Sequence, residues 1–96
     1  MKYQLSSSVR CVILPGACVS IATLETVRLL DGYGAILGVR HFHASRGLTM
    51  GATLVESGYV GLLKIQVANT SNQQIEISKG EKILNLLPVE VPDGVC

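Results

Sequence analysis

Ninety-six residues allow one domain, and 48% apolar residues against 16% Asp, Glu, Lys and Arg exclude a disordered chain, which would show the opposite balance. A net charge of +1 with scattered Lys and Arg excludes the basic footprint of a protein that binds nucleic-acid polymer. With no Trp, one Phe and three Tyr, the core must close on aliphatic side chains, a shortage that a homo-oligomer would relieve.

Met1-Lys2-Tyr3-Gln4-Leu5-Ser6 lacks the apolar run of a secretory signal, and no stretch approaches the ~18 apolar residues of a membrane span. The expectation is a cytoplasmic or virion protein without a membrane partner. Val, Ile and Thr supply 23 residues in short runs punctuated by Gly, Pro, Asn and Asp, the pattern of strands joined by turns. Residues 10–14 form a strand stopped by Pro15-Gly16, and residues 17–24 resume with Val19 and Ile21 on one face. Residues 25–30 extend that ribbon, Asp31-Gly32 turns, and residues 33–39 form a strand with two glycines. Residues 40–51 have no period and make the natural ligand loop.

A brief strand at 52–55 and the turn Glu56-Ser57-Gly58 lead into a long strand at 59–69, with Leu63, Ile65 and Val67 on one face. After a polar loop, Ile75 and Ile77 alternate with Glu76 and Ser78, and Lys79-Gly80-Glu81-Lys82 turns into a last strand over 83–91. About eight short strands without repeat or linker predict a single all-β domain over 1–96, a sandwich or barrel with its core in about 9–91.

Three cysteines without metal-type spacing indicate neither a disulfide framework nor a zinc site. Cys11 and Cys18 read as buried small hydrophobes and Cys96 as a thiol on an exposed tail. His41 and His43 would face the same way on a strand, but a third ligand is absent, so no metal site is predicted and both read as solvated or hydrogen-bonded loop histidines. Ser45 near His43 has no carboxylate close in sequence to orient the imidazole and makes no triad. Gly32-Tyr33-Gly34 lacks the further glycines of a phosphate cradle and is a turn. Glu56 and Tyr59 either place a carboxylate and a ring over a small ligand or serve turn solvation and core packing.

The order of segments resembles the superfamily of dUTPases and dCTP deaminases. Val12-Ile13-Leu14-Pro15-Gly16 followed by Ala22-Thr23-Leu24-Glu25-Thr26-Val27 is similar to the deaminase stretch in which a Pro-Gly turn precedes a Thr-Leu-Glu strand. Gly58-Tyr59-Val60-Gly61, the strand closed by Asn69, and Ile77-Ser78-Lys79-Gly80-Glu81-Lys82-Ile83-Leu84-Asn85-Leu86 follow the shared later pattern. The resemblance implies a distorted jelly-roll β-barrel, a homotrimer, and nucleotide sites between subunits where sites exist.

It also assigns residues. Val39-Arg40-His41-Phe42-His43-Ala44-Ser45 stands at the phosphate-gripping motif, where His41 and Phe42 replace the serines, and Phe42 offers a phosphate no donor. Glu56 falls where dUTPases carry the Asp that positions the hydrolytic water, and Tyr59 where a Tyr packs under the deoxyribose. Thr53 replaces a pocket glycine and narrows the space for a base. Gln66 stands where deaminases use a Glu as general acid and base, and an amide cannot take the proton. Lys82 and Asn85 replace an Arg and a Gln on the phosphate side. The dUTPase Ala-Gly-Tyr-Asp-Leu motif has no counterpart before Val9, and Val91-Pro92-Asp93-Gly94-Val95-Cys96 is too short for a closing arm.

These departures favour a non-catalytic trimeric module used in assembly or binding, such as a viral or phage capsid decoration protein, needing no cofactor. The alternative is a divergent enzyme or nucleotide sensor of dUTPase or dCTP deaminase type. It would bind nucleotide through Arg40, Tyr59, Lys82 and Asn85, use Glu56 for catalysis, and take Mg2+ with its substrate.

Overall fold

Alternating apolar and polar side chains turn most of the chain into strand, and the computed structural model describes residues 2–51 and 54–90. Among them the order is β1 (Tyr3–Ser6), β2 (Cys11–Ile13), β3 (Cys18–Arg28), β4 (Tyr33–Val39), α1 (His41–Ala44), β5 (Leu48–Met50), β6 (Leu54–Val55), β7 (Val60–Asn69), β8 (Ile75–Ile77) and β9 (Lys82–Glu90). Every pairing is antiparallel, in sheets ordered β1-β9-β4-β6, β2-β8 and β3-β7-β5. Thr53 and Cys96, for which the sequence raised roles, lie outside the described residues.

The spine is the β3–β7 pair. Ile21 opposes Ile65 and Val19 opposes Val67, so the alternation of both strands points one aliphatic row inward, with Leu63 buried on the same face. The register slips between Ala22 and Thr26. There the Thr23 hydroxyl accepts the Leu63 amide at 3.0 Å and donates to the Glu25 carbonyl at 3.0 Å, doing at the bulge what a backbone group does elsewhere in the ladder. The core is aliphatic as expected: Ile13, Ile75, Ile77, Ile83 and Leu84 are all essentially inaccessible. Each such side chain contributes about 1.5–3 kcal/mol by leaving water.

Three expectations are corrected. Tyr3–Ser6 is a strand paired with β9, and Leu5 joins the core, so the barrel begins ahead of Val9. The irregular stretch from Arg40 holds a short helix and the strand Leu48–Met50. Cys18 is exposed and Cys11 half-buried; Cys18 sits three residues from inward-facing Ile21, and an odd offset on a strand places it on the opposite face.

Candidate functional site

The turn between β6 and β7 is closed by the Tyr59 amide bonding the Glu56 carbonyl at 3.3 Å, with Gly58 supplying the positive φ of 82° that the turn requires. It brings Glu56 and Tyr59 to one open cavity of about 540 Å3, whose walls include Leu54, Leu62 and Lys64. Glu56 is exposed. Tyr59 is half-buried, its hydroxyl donates to the Leu62 carbonyl, and its own carbonyl accepts the Leu29 amide at 2.9 Å, so the ring is held from both ends. The pair lines a shared cavity, while Tyr59 also packs against the hydrophobic core and Glu56 is open to solvent, so both readings weighed for it stand.

A second group lies where β4 meets β9. Gly38 opposes Asn85 and Val39 opposes Leu84, so Asn85 and Lys82 run alongside the end of β4. The Arg40 amide bonds the Ile83 carbonyl at 3.0 Å, and its guanidinium donates through Nη1 to the Lys82 carbonyl at 3.3 Å. That leaves most of the guanidinium fork free. The Asn85 side-chain oxygen is buried without a hydrogen-bond partner. Arg40, Lys82 and Asn85 thus form a seam carrying two cations. Arg40, Lys82 and Asn85 do not line the cavity of the Glu56–Tyr59 turn.

Directly after Arg40 comes α1. His41 is exposed, and so is Phe42, at 58% of its surface, with the Arg46 guanidinium 5.4 Å from its ring centre. Ser45 spends its hydroxyl on the Phe42 carbonyl at 2.9 Å. His43 was expected in solvent or in a hydrogen bond; it is 1% exposed and lies 2.5 Å from a Glu81 carboxylate oxygen. The missed residue is Glu81. Its carboxyl is pushed up by burial, yet the Ser78 amide, His43 and Arg46 together outweigh that and hold it below the ordinary carboxylate range. Gln66 is exposed on the outward face of β7.

Among the described residues, no three His, Cys, Asp or Glu side chains converge to hold a metal, and no helix is long and apolar enough to cross a membrane.

Fold and side chains define the class: a distorted jelly-roll β-barrel with a carboxylate–tyrosine turn and a separate cationic seam. Sequence comparison gives the family, because a model of the dUTPase family matches residues 2–93, and the chain belongs to it. It is 28% identical over 88 residues to a dCTP deaminase of Pyrobaculum islandicum, an alignment spanning 92% of this chain and 50% of that one. It is 30% identical over 87 residues to a probable deoxyuridine 5'-triphosphate nucleotidohydrolase of Sulfolobus islandicus rod-shaped virus 1, spanning 84% and 54%. The chain therefore spans about half the length of these curated relatives. The fold is that of a dUTPase from phage phi11 of S. aureus, with a TM-score of 0.87 at 20% identity over 99% of this chain and 80% of that one. It also matches the EIAV dUTPase, with a TM-score of 0.86 at 16% identity over 99% and 79%.

Proposed function

We propose that this chain handles pyrimidine deoxynucleoside triphosphates, acting as a divergent hydrolase of the dUTPase type. The observation that carries the reading is the cavity shared by Glu56 and Tyr59, with a two-cation seam elsewhere on the same barrel. Relatives named for dUTP hydrolysis and dCTP deamination favour this reading over an assembly role, and they lend a capsid role no support. Between the two chemistries, Gln66 at the position the resemblance gives to the deaminase base favours hydrolysis.

Tyr59 would pack against the sugar, and Arg40 and Lys82 would grip the polyphosphate, with Asn85 accepting or donating beside them. Glu56 would take a proton from a water as its oxygen attacks the α-phosphorus. The bond to the bridging oxygen breaks, pyrophosphate leaves, and the proton resides on the carboxylate until solvent removes it. With His41 and Phe42 in place of serines, the grip rests on charge, so affinity should fall steeply with salt. Since Arg40, Lys82 and Asn85 do not line the Glu56–Tyr59 cavity within one protomer, we place the two together across subunits of a homotrimer. The exposed apolar residues Leu24, Ile36, Leu54, Val60 and Leu62 supply surface for such contacts.

The test is incubation with dUTP, dCTP and the other deoxynucleoside triphosphates in the presence of Mg2+, following pyrophosphate and ammonia. Pyrophosphate release without ammonia is expected, falling on the order of a hundredfold or more in Glu56→Gln. Silence with every nucleotide, with no thermal shift, overturns the reading. Sedimentation equilibrium checks the trimer separately.

A further inference from the structure

The proposed chemistry makes no use of His43, although the fold encloses this polar ring almost completely. Its Nδ1 is buried without a partner, and a proton there would have no acceptor. The hydrogen bonds therefore assign the ring proton to Nε2, which donates to one Glu81 oxygen at 2.5 Å. The other Glu81 oxygen accepts the Ser78 amide at 3.0 Å. Backbone bonds fix the same turn: Glu81 N–H to the Ser78 carbonyl at 3.0 Å, Ser7 N–H to the Glu81 carbonyl at 2.9 Å, and Gly80 N–H to the Ser7 carbonyl at 2.8 Å.

The two members of this pair flank the two cations of the seam. Arg40 opens the turn that carries His43, its carbonyl accepting the His43 and Ala44 amides at 3.0 and 2.9 Å. Lys82 follows Glu81 and accepts the Arg40 guanidinium on its carbonyl. The start of α1 and the start of β9 are thus cross-linked three times, Arg40 to Lys82 and Ile83 at one end and His43 to Glu81 at the other. Glu81 directly precedes Lys82, so its carboxylate would repel an incoming polyphosphate unless its oxygens were engaged elsewhere, and here both are. Arg46, on the α1 side, and Cys11, on β2, are the other titratable groups that face it.

Resting on the function proposed above, we infer that His43 and Glu81 are positioning residues for the polyphosphate grip. They hold Arg40 and Lys82 in register and turn the Glu81 charge away from the anion. His43→Leu fills similar space without ring nitrogens. His43→Gln keeps an N–H donor at the reach of Nε2, whereas His43→Asn puts its amide at the reach of Nδ1 and leaves Glu81 without a donor.

The experiment is calorimetric titration of the full chain with dUTP, inorganic tripolyphosphate and deoxyuridine. The expected result is a Kd for tripolyphosphate raised on the order of tenfold in His43→Leu and His43→Asn, the loss implied by one charge-assisted hydrogen bond. Deoxyuridine binding should not change, and His43→Gln should return most of the phosphate affinity. Wild-type phosphate affinity in His43→Leu, or in His43→Asn if the Leu variant fails to fold, overturns the positioning role and leaves the proposed function standing. Equal losses for deoxyuridine and tripolyphosphate overturn it too, because they show a general structural role. A wild-type chain that binds neither dUTP nor tripolyphosphate overturns the function itself, and this inference with it.

Discussion

Asn69 closes β7 and is 1% exposed, and all of its side-chain hydrogen-bonding capacity on the nitrogen is spent. Nδ2 donates to the Ile13 carbonyl at 2.9 Å and to the Gln73 carbonyl at 2.7 Å, while Oδ1 accepts the Ser71 amide at 2.9 Å and the Ser71 hydroxyl at 2.7 Å. One side chain thus ties the end of β2, the end of β7 and the polar loop that leads to β8. Asn69→Asp keeps the size and both bonds to Ser71 but replaces the double donor by an oxygen facing two carbonyls. Two carbonyls left without donors cost about 1–3 kcal/mol each where buried, so about 3 kcal/mol is expected, since the Gln73 side of the loop can still reach water. For a domain of this size that is roughly 12–24 °C in Tm. Urea unfolding followed by far-ultraviolet circular dichroism, at fixed protomer concentration so that association does not enter, reads the difference. Burial raises the pKa of the introduced carboxyl. The penalty relative to wild type is therefore full above that raised value and shrinks as pH falls through it, when the carboxyl regains an O–H donor. A variant within 1 kcal/mol of wild type at neutral pH, or a penalty that grows on acidification, would refute the accounting.

Other substitutions separate the remaining contributions. At Gly47, with φ of 98°, an added Cβ would meet Ser71 Cβ at 2.9 Å and Ser71 N at 3.0 Å, whereas at Gly16, with φ of 78°, it meets nothing within 4 Å. Gly47→Ala should therefore lower Tm clearly more than Gly16→Ala, whose cost of about 1–2 kcal/mol is torsional alone; equal shifts would remove the steric argument. Thr23→Val leaves the Leu63 amide without an acceptor at the β3 bulge, and a loss of about 1–3 kcal/mol in urea unfolding is expected, with an unchanged midpoint as the contrary result. Because the Glu81 pKa is lowered in the fold, its contribution is present above the ordinary value of 4.5 and is lost as pH falls through the folded value. The stability gap between wild type and Glu81→Gln should close below about pH 4.5, and parallel pH profiles would contradict this.

The strands that sequence reasoning placed are those marked in their own residues, by alternation or by an apolar run after a turn. Tyr33–Val39 is observed over the expected residues, and Leu63, Ile65 and Val67 share a buried face because a period of two leaves no other arrangement once one of them is inside. Tyr3–Ser6 escaped because its single large apolar residue, Leu5, sits among polar neighbours; the strand exists by pairing with β9, a tertiary contact with no local signature. The bulge in β3 was equally silent. Its extra residues leave Ile21, Thr23, Val27 and Leu29 on the buried side, so the hydrophobic parity on either side of the slip looks unbroken.

The site divides along the same line. Glu56 and Tyr59 lie three residues apart on one turn, so local geometry alone could bring them to a common cavity. The His43–Glu81 pair spans 38 residues, and neither partner is distinctive by itself: a histidine in an aperiodic loop and a glutamate in a Lys-Gly-Glu-Lys turn both look solvated. What makes them a pair is burial, which forbids leaving the imidazole N–H unmet and so requires an acceptor from whatever element packs against α1. The same constraint bears on the segment that the resemblance sets at the phosphate motif. With Phe42 turned outward and Ser45 bonded to the Phe42 carbonyl, the α1 side chain that bonds the turn before β9 is the buried histidine, one position beyond the residues that the resemblance sets at the phosphate. On the function proposed above, a lost direct contact and a gained internal hydrogen bond would sit on adjacent residues, and the polyphosphate grip would rest on Arg40 and Lys82.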